Sequence, residues 1–448
     1  MSAPPKVLVT GADQHQGLAV IRGLGLAGIP VIACGASPWS MGFHSRFAVE
    51  RARYTPPFQS PPRFIDDLLR IIRRTGPALV IPTVESTLVL LSEARDLLER
   101  HTTLAAPPPE VLDYALDKGK TLRLAAQLGV PVPRSVQGER TGDIVWRAAG
   151  LSFPVAIKPH GNGLHRTTAN TLGFKVRYAR TSEELQQVLQ PFERDARALL
   201  VQEYTPGTGR CVAALCRLGE PLALLAYSRE REFPLSGGVS VLRKTIPLDA
   251  RLATHATTLL REIGWHGVAM VEFKHDRASD SYTLMEINGR FQASTALSLD
   301  AGLNLPRLVA ALYDVVEAGP IPTYRVGVEE RWLRGDLLAL RDGLAARHRR
   351  SATAAPAGAP PSRTAVVWHF LRDFRPRVRY DEFKWYDWRP GVVEAVSLLA
   401  LLLAWLLEPV RRVPGYLRRP AVTSPAAAPV APPHSAFTSS VTQRSIRA

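Results

Sequence analysis

The sequence predicts an α/β chain: a parallel, helix-covered sheet first, then a mixed α+β region rich in antiparallel strands, then a helical C-terminal extension. Three observations carry this. Short apolar runs (Lys6-Val-Leu-Val-Thr, Pro30-Val-Ile-Ala-Cys, Ala78-Leu-Val-Ile-Pro) alternate with stretches of helical spacing up to His101, as a parallel sheet buried on both faces requires. Beyond Phe153 the apolar runs follow one another across turn formers, as in Val212–Leu218 and Pro221–Tyr227, which is the pattern of antiparallel neighbours. Near the end, Val392–Leu407 carries a single charge, Glu394, and reads as a helix.

A chain of 448 residues is too long for one ordinary core, so two or three domains are expected. Apolar content of 46% and charged content of 21% suit a globular protein. The net charge of +16 comes mostly from arginine and favours anionic partners, although codon bias accounts for arginine use equally well. No zinc-ligand spacing, helix-turn-helix signal or aromatic RNA-binding signature occurs, so nucleic acid is not expected as a partner. Cys34, Cys211 and Cys216 cannot build a disulfide framework for a chain of this size; buried thiols are expected. Met1-Ser-Ala-Pro-Pro-Lys6 leads straight into a strand with no leader peptide, which gives a cytoplasmic expectation.

Residues 1–115 form the first unit. After Lys6–Thr10 comes a glycine turn, a helix from Gly17, the strand at Pro30, helical spacing over Ile65–Arg74, the strand at Ala78, and a helix over Thr87–His101. Gly11 and Gly17 lack the full dinucleotide spacing, and Cys34-Gly-Ala-Ser stands where a ribose-binding acid is needed, so an NAD site is disfavoured. In residues 116–318 a helix over Asp117–Leu128 is stopped by Gly129, Pro131 and Pro133. Phe153–Pro159 is a strand ending in Lys158, followed by a glycine-bearing loop and the strand Phe174–Tyr178. A helix over Ser182–Phe192 starts with Glu183 and Glu184, which suits its dipole. The strand Leu199–Tyr204 follows, and helices are expected over Leu252–Ile263 and Leu305–Ala318. Residues 319–390 give little signal, with a flexible loop at 352–362, and 413–448 read as a disordered tail. The hydrophobic helix, 391–412, is flanked by Trp385, Trp388 and arginines. It is open to three readings: a buried or oligomer-forming helix, an interfacial helix, or a span whose apolar core is short.

Chemistry concentrates where two strands end. In Val268-Ala-Met-Val-Glu272 and Leu284-Met-Glu286-Ile-Asn288-Gly-Arg290, an apolar run finishes in polar groups. Alternate strand residues share a face, so Glu286, Asn288 and Arg290 converge. The turn formers His275–Ser281 make the two strands a hairpin-like pair, which puts Glu272 beside them. Two carboxylates and an amide are hard oxygen donors of the kind Mg²⁺ takes while it holds nucleotide phosphates. A salt-bridged strand end is the alternative.

With Val155-Ala-Ile-Lys158-Pro and Val201-Gln-Glu203-Tyr-Thr-Pro-Gly upstream, these motifs stand in the order that resembles the ATP-grasp superfamily, especially its carbamoyl-phosphate-synthetase-like branch. The resemblance covers residues 116–318, divided as a lid-bearing lobe, 116–198, and a metal-binding lobe, 199–318; residues 1–115 look like the pre-ATP-grasp domain that precedes it. It implies ATP with Mg²⁺ (or Mn²⁺) as cofactors and small-molecule carboxylate and amine substrates, with a homodimer among the assemblies open to it. Metal ligands would be Glu272, Glu286 and Asn288. Phosphates would meet Lys118, Lys158 and the backbone of Gly161 and Gly163, and adenine would meet Gln202, Glu203, Tyr204 and Thr205. Arg290 would be catalytic, and Lys244, after the Gly237-Gly238 loop, would lie near the phosphate or the acceptor. Lys120 competes with Lys118 for its role. The reaction implied is carboxylate activation as an acyl phosphate and joining to an amine or other nucleophile. The loop Lys158–Arg166 lacks the serine and third glycine of the family pattern, which leaves a catalytically silent ATP-binding module as the alternative. The segment 385–412 offers a membrane contact, which would place the protein at the inner face of the membrane.

Overall fold

The computed structural model describes residues 4–159, 174, 176–234, 237–345 and 362–407. Contacts gather Met1–Leu398 into one unit; Leu399–Ala448 is a second, described only over 399–407, the end of a helix. The expected loop at 352–362 except Ser362, the tail 413–448, and Gly161 and Gly163 fall outside the described residues.

Strands β1 (Val7–Val9), β2 (Val31–Gly35), β3 (Ala48–Arg53), β4 (Leu79–Ile81) and β5 (Thr103–Leu104) form a parallel sheet in the order β3-β2-β1-β4-β5. Every residue of β1, β2 and β4 is buried, as unbroken apolar runs require of a sheet covered on both faces. The helix expected over Thr87–His101 is two, Glu85–Glu93 and Arg95–Leu98, parted at Ala94, whose ψ of 14° departs from the helical value.

Strands β6 (Ser135–Val136), β7 (Val155–Pro159), β8 (Arg177–Ala179) and β9 (Leu199–Glu203) make a four-stranded antiparallel sheet in the order β6-β9-β7-β8. It has its own core, in which Ile144, Val155, Leu185, Leu189 and Val201 meet. Strands β10 (Thr208–Arg217), β11 (Glu220–Phe233), β12 (Val239–Thr245), β13 (Gly267–Asp276), β14 (Ser281–Asn288), β15 (Glu329–Arg331) and β16 (Val378–Tyr380) form the large sheet, ordered β14-β13-β10-β11-β12-β15-β16. Because β9 stays in the small sheet and β10 opens the large one, the chain crosses between lobes at residues 204–207. Val212, Ala214 and Phe273 join a cluster with the helix Ala250–Glu262 and with Leu8 and Ile32 of the first sheet; Cys211 and Ala213 join another with the helix Leu305–Leu312 and with Val7 and Val31. The first domain and the large sheet thus share cores, and each fully buried Leu, Ile or Phe contributes about 1.5–3 kcal/mol relative to exposure. All three cysteines are free and buried, as expected.

Residues 319–390 add β15 and β16 to the large sheet. Their strands are short and charged, so no apolar alternation announced them. Buried ion pairs stand in for it: Arg243 meets Asp381 and Glu330, Arg331 lies 2.6 Å from Asp336, and Lys384 lies 2.5 Å from Asp300. This segment also grips the first domain. Arg22, 1% exposed, sets its Nε 2.8 Å from Asp387 and donates to the carbonyls of Asp381, Glu382 and Asp387.

Candidate active site

Glu272 on β13 and Glu286 on β14 stand opposite each other in register. The register shifts between Glu272/Glu286 and Phe273/Leu284, so Met285 is an extra residue. That bulge turns Glu286 and Asn288 onto the accessible face while Met285 and Ile287 are buried. Asn288 Nδ2 donates to Glu286 Oε1 at 3.1 Å, and Arg290 Nη2 donates to Asn288 Oδ1 at 3.3 Å. The expected convergence of Glu272, Glu286, Asn288 and Arg290 is what the backbone produces. Gly289 makes it possible: a Cβ there would meet Trp265 at 2.5 Å.

Two cations hold the carboxylates. Lys118 Nζ lies 2.6 Å from Glu286 Oε2, at the start of the helix Lys118–Gln127 that Asp117 caps. Lys120 instead pairs with Asp113 at 2.8 Å and lies over the Tyr114 ring, so Lys118 is the lysine at the cluster. Burial opposes the Glu286 carboxylate, but the Lys118 ammonium beside it, then the Asn288 amide and Lys158, hold it far below the usual carboxylate range. Burial likewise opposes the Lys118 charge, yet Glu286 raises its pKa overall. Glu272 is gripped by Arg229 of β11, two strands away. Gly209 of β10, between them, has no side chain; a Cβ there would meet Arg229 Cδ at 2.7 Å. Burial raises the Glu272 pKa against the pull of Arg229.

The small sheet faces this cluster with Lys158. Ala156 pairs with Gln202 in register, so Lys158, two residues on, shares a face with Gln202, and its Nζ lies 2.5 Å from Gln202 Oε1. Burial first, then the like charge of Lys118, lowers the Lys158 pKa to about 8, against the attraction of Glu286 and Glu272. Gln202 Nε2 is buried without a partner among the described residues. Glu203 accepts from Ser152 N at 2.8 Å and from Arg134, while Tyr204 N donates to Pro154 O at 3.0 Å and Thr205 is half-buried beside it.

Lys244 is not brought to the cluster. Its Nζ lies 3.3 Å from Glu329, and its neighbour Arg243 points to the opposite, buried side. Sequence reasoning missed Arg229 as the partner of Glu272, because a contact across an intervening strand leaves no local pattern. It also missed His15 and Gln292. His15 opens the helix after the Gly11 turn, lies tilted against the Trp332 ring with centroids 4.8 Å apart, and feels the charges of Asp381, Arg243 and Arg290. Burial lowers its pKa to about 4, so the imidazole is neutral, and its Nε2 has no partner among the described residues. Gln292, two residues beyond Arg290 and 1% exposed, likewise leaves both amide atoms unpartnered there.

Two carboxylates and an amide oxygen at adjoining strand ends are donors of the type a hard divalent cation takes, and Lys118 and Arg229 neutralise the two carboxylates.

Residues 195–334 match a family model described as "ATP-grasp in the biosynthetic pathway with Ter operon". The chain is 25% identical over 315 residues to the methylcrotonoyl-CoA carboxylase α subunit of Oryza sativa subsp. japonica, covering 65% of this chain and 40% of that protein. It is 26% identical over 212 residues to the D-alanine–D-alanine ligase of Caulobacter sp. (strain K31), covering 44% and 63%. The chain thus spans less than two thirds of either relative's length. Its fold is similar to that of biotin carboxylase from Campylobacter jejuni, solved as a β,γ-ATP complex, with a TM-score of 0.57, 13% identity, and 72% of this chain and 74% of that one covered.

Proposed function

We propose that this chain, an ATP-grasp protein with a parallel α/β domain before its ATP-grasp domain, is an ATP-dependent ligase. It activates a substrate carboxylate as an acyl phosphate and joins it to an amine or other nucleophile. The observation that carries this reading is the register pair Glu272/Glu286 with Asn288, facing Lys118 and Lys158.

Glu272, Glu286 and Asn288 would hold Mg²⁺ (or Mn²⁺), which supplies charge neutralisation to the phosphate oxygens. Lys158 and Lys118 take the remaining phosphate charge, and the hinge at Gln202–Thr205 holds the adenine. A substrate carboxylate oxygen attacks the γ-phosphorus, and the bond to ADP breaks. Arg290, aimed by Asn288, stabilises the charge on the transferred group. The nucleophile then attacks the acyl carbon and phosphate leaves, which replaces a poor hydroxide leaving group. The unpartnered groups of His15 and Gln292 beside Arg290 are where the acceptor would be held. A nucleotide-binding module without turnover is the second reading, favoured by Arg229 already occupying Glu272. ADP release with a panel of carboxylates and amines separates the two: Mg-ATP bound but never cleaved would leave the second.

The Lys158 ammonium sets a pH dependence. With its pKa at about 8 in the nucleotide-free protein, it is charged at pH 7 and loses its charge as pH rises through that value. Affinity for ATP is therefore expected to fall across pH 8–9 in isothermal titration, and Lys158→Arg, which stays charged, should flatten the profile.

A further inference from the structure

Arg229 meets more than Glu272. Its side chain, 7% exposed, stands between two carboxylates: Nη1 is paired with Glu272, and Nε lies 3.2 Å from Glu232 on the same strand. The third nitrogen, Nη2, donates to the carbonyl of Gly238, whose own N–H donates to Glu232 at 3.2 Å. Two glycines make room for this arrangement. A Cβ at Gly209 would meet Arg229 Cδ at 2.7 Å, and one at Gly238 would meet the Phe233 carbonyl oxygen at 2.1 Å. The Glu232 side chain is only 17% exposed, and its charge acts on Glu272 as well as on Arg229.

We propose that Arg229 is a displaceable counter-ion, which neutralises Glu272 before a divalent cation binds and transfers its charge to Glu232 when one does. The inference rests on the reading of Glu272, Glu286 and Asn288 as ligands of that cation. A guanidinium fixed on Glu272 would repel an arriving cation and keep the carboxylate oxygen that the cation needs. With no guanidinium at all, Glu272 and Glu232 would face each other as like charges in a mostly buried place. A second acid on the same guanidinium meets both demands. Nε already faces Glu232 and Gly238 already holds Nη2, so only the Nη1 contact is given up.

The probe is Mn²⁺ on the full chain, titrated by electron paramagnetic resonance alone and with a non-hydrolysable ATP analogue, which reads binding rather than turnover. Arg229→Met should tighten Mn²⁺ binding about tenfold, because the competitor is gone, and Glu232→Gln should weaken it about fivefold, because Arg229 is left with Glu272 alone. In the double variant the Glu232→Gln change should have no further effect. The unfolding midpoint of Arg229→Met should fall without Mn²⁺ and recover with it. Unchanged or weaker Mn²⁺ binding by Arg229→Met, as a residue that merely orients Glu272 would give, overturns the proposal. So does a loss on Glu232→Gln that persists in the double variant, which would make Glu232 a ligand itself. Should Arg229→Met fail to fold, Glu232→Gln that binds Mn²⁺ as wild type does overturns it alone. Wild type that binds no Mn²⁺ in either condition removes the metal reading and this inference together. Wild type that binds Mn²⁺ where Glu286→Gln does not keeps the metal reading, whatever the Arg229 variants show.

Discussion

Glu286→Gln is expected to lower ATP turnover by about two to three orders of magnitude while the fold is kept. The substitution preserves shape and hydrogen-bonding capacity but removes the charge that Lys118 and Asn288 meet and that the proposed metal would use. Glu286 is the central group of the cluster: it stands opposite Glu272, accepts from Asn288, and its charge acts on both lysines. The remaining carboxylate cannot replace it, because Arg229 already holds Glu272. A fluorescent ATP analogue should therefore bind more weakly and lose its dependence on added Mg²⁺. Circular dichroism should be unchanged, since Glu286 lies at a strand end with its side chain 28% exposed. Turnover equal to wild type would remove Glu286 from the metal site. The companion substitution Lys118→Met tests the other half of the pair; it should weaken nucleotide binding even where metal is saturating.

Much of this site could be read in the chain because its groups lie close together in sequence. Glu286, Asn288 and Arg290 need only the two-residue period of a strand, and Glu272 joins them through one hairpin. Lys158 was legible for the same reason, as the polar end of the apolar run Val155–Ile157. Groups that arrive from elsewhere were not. Arg229 reaches Glu272 over Gly209, a path that depends on a side chain being absent. Lys244 illustrates the opposite problem: it follows the Gly237-Gly238 loop, but the sheet gives its face to Glu329. The fold divides in the same way. Unbroken apolar runs announced the parallel sheet, whereas Glu329–Arg331 and Val378–Tyr380 carry charged strands whose burial makes sense only once Arg243, Asp381 and Glu330 are seen together.

The same logic of long-range charge makes Asp387→Ala the substitution with the largest expected effect on stability, about 3–5 kcal/mol. Asp387, 2% exposed, receives Arg22 Nε, Ser45 Oγ and Arg46 N, each at 2.8 Å, and so fastens the C-terminal segment to the first domain. Removing its carboxylate leaves the Arg22 guanidinium, 1% exposed, with carbonyl partners but no counter-charge. Burial of an uncompensated charge, rather than loss of one hydrogen bond, is what costs the energy. Replacing both partners by apolar residues, Arg22→Met with Asp387→Leu, removes that charge and should recover a large part of the loss. The comparison is made by urea unfolding of the full chain, with the midpoint read at constant slope. A loss in Asp387→Ala of only about 1 kcal/mol or less, the worth of an exposed pair, would mean that water reaches Arg22 and that the segment 319–390 is held by β15 and β16 alone.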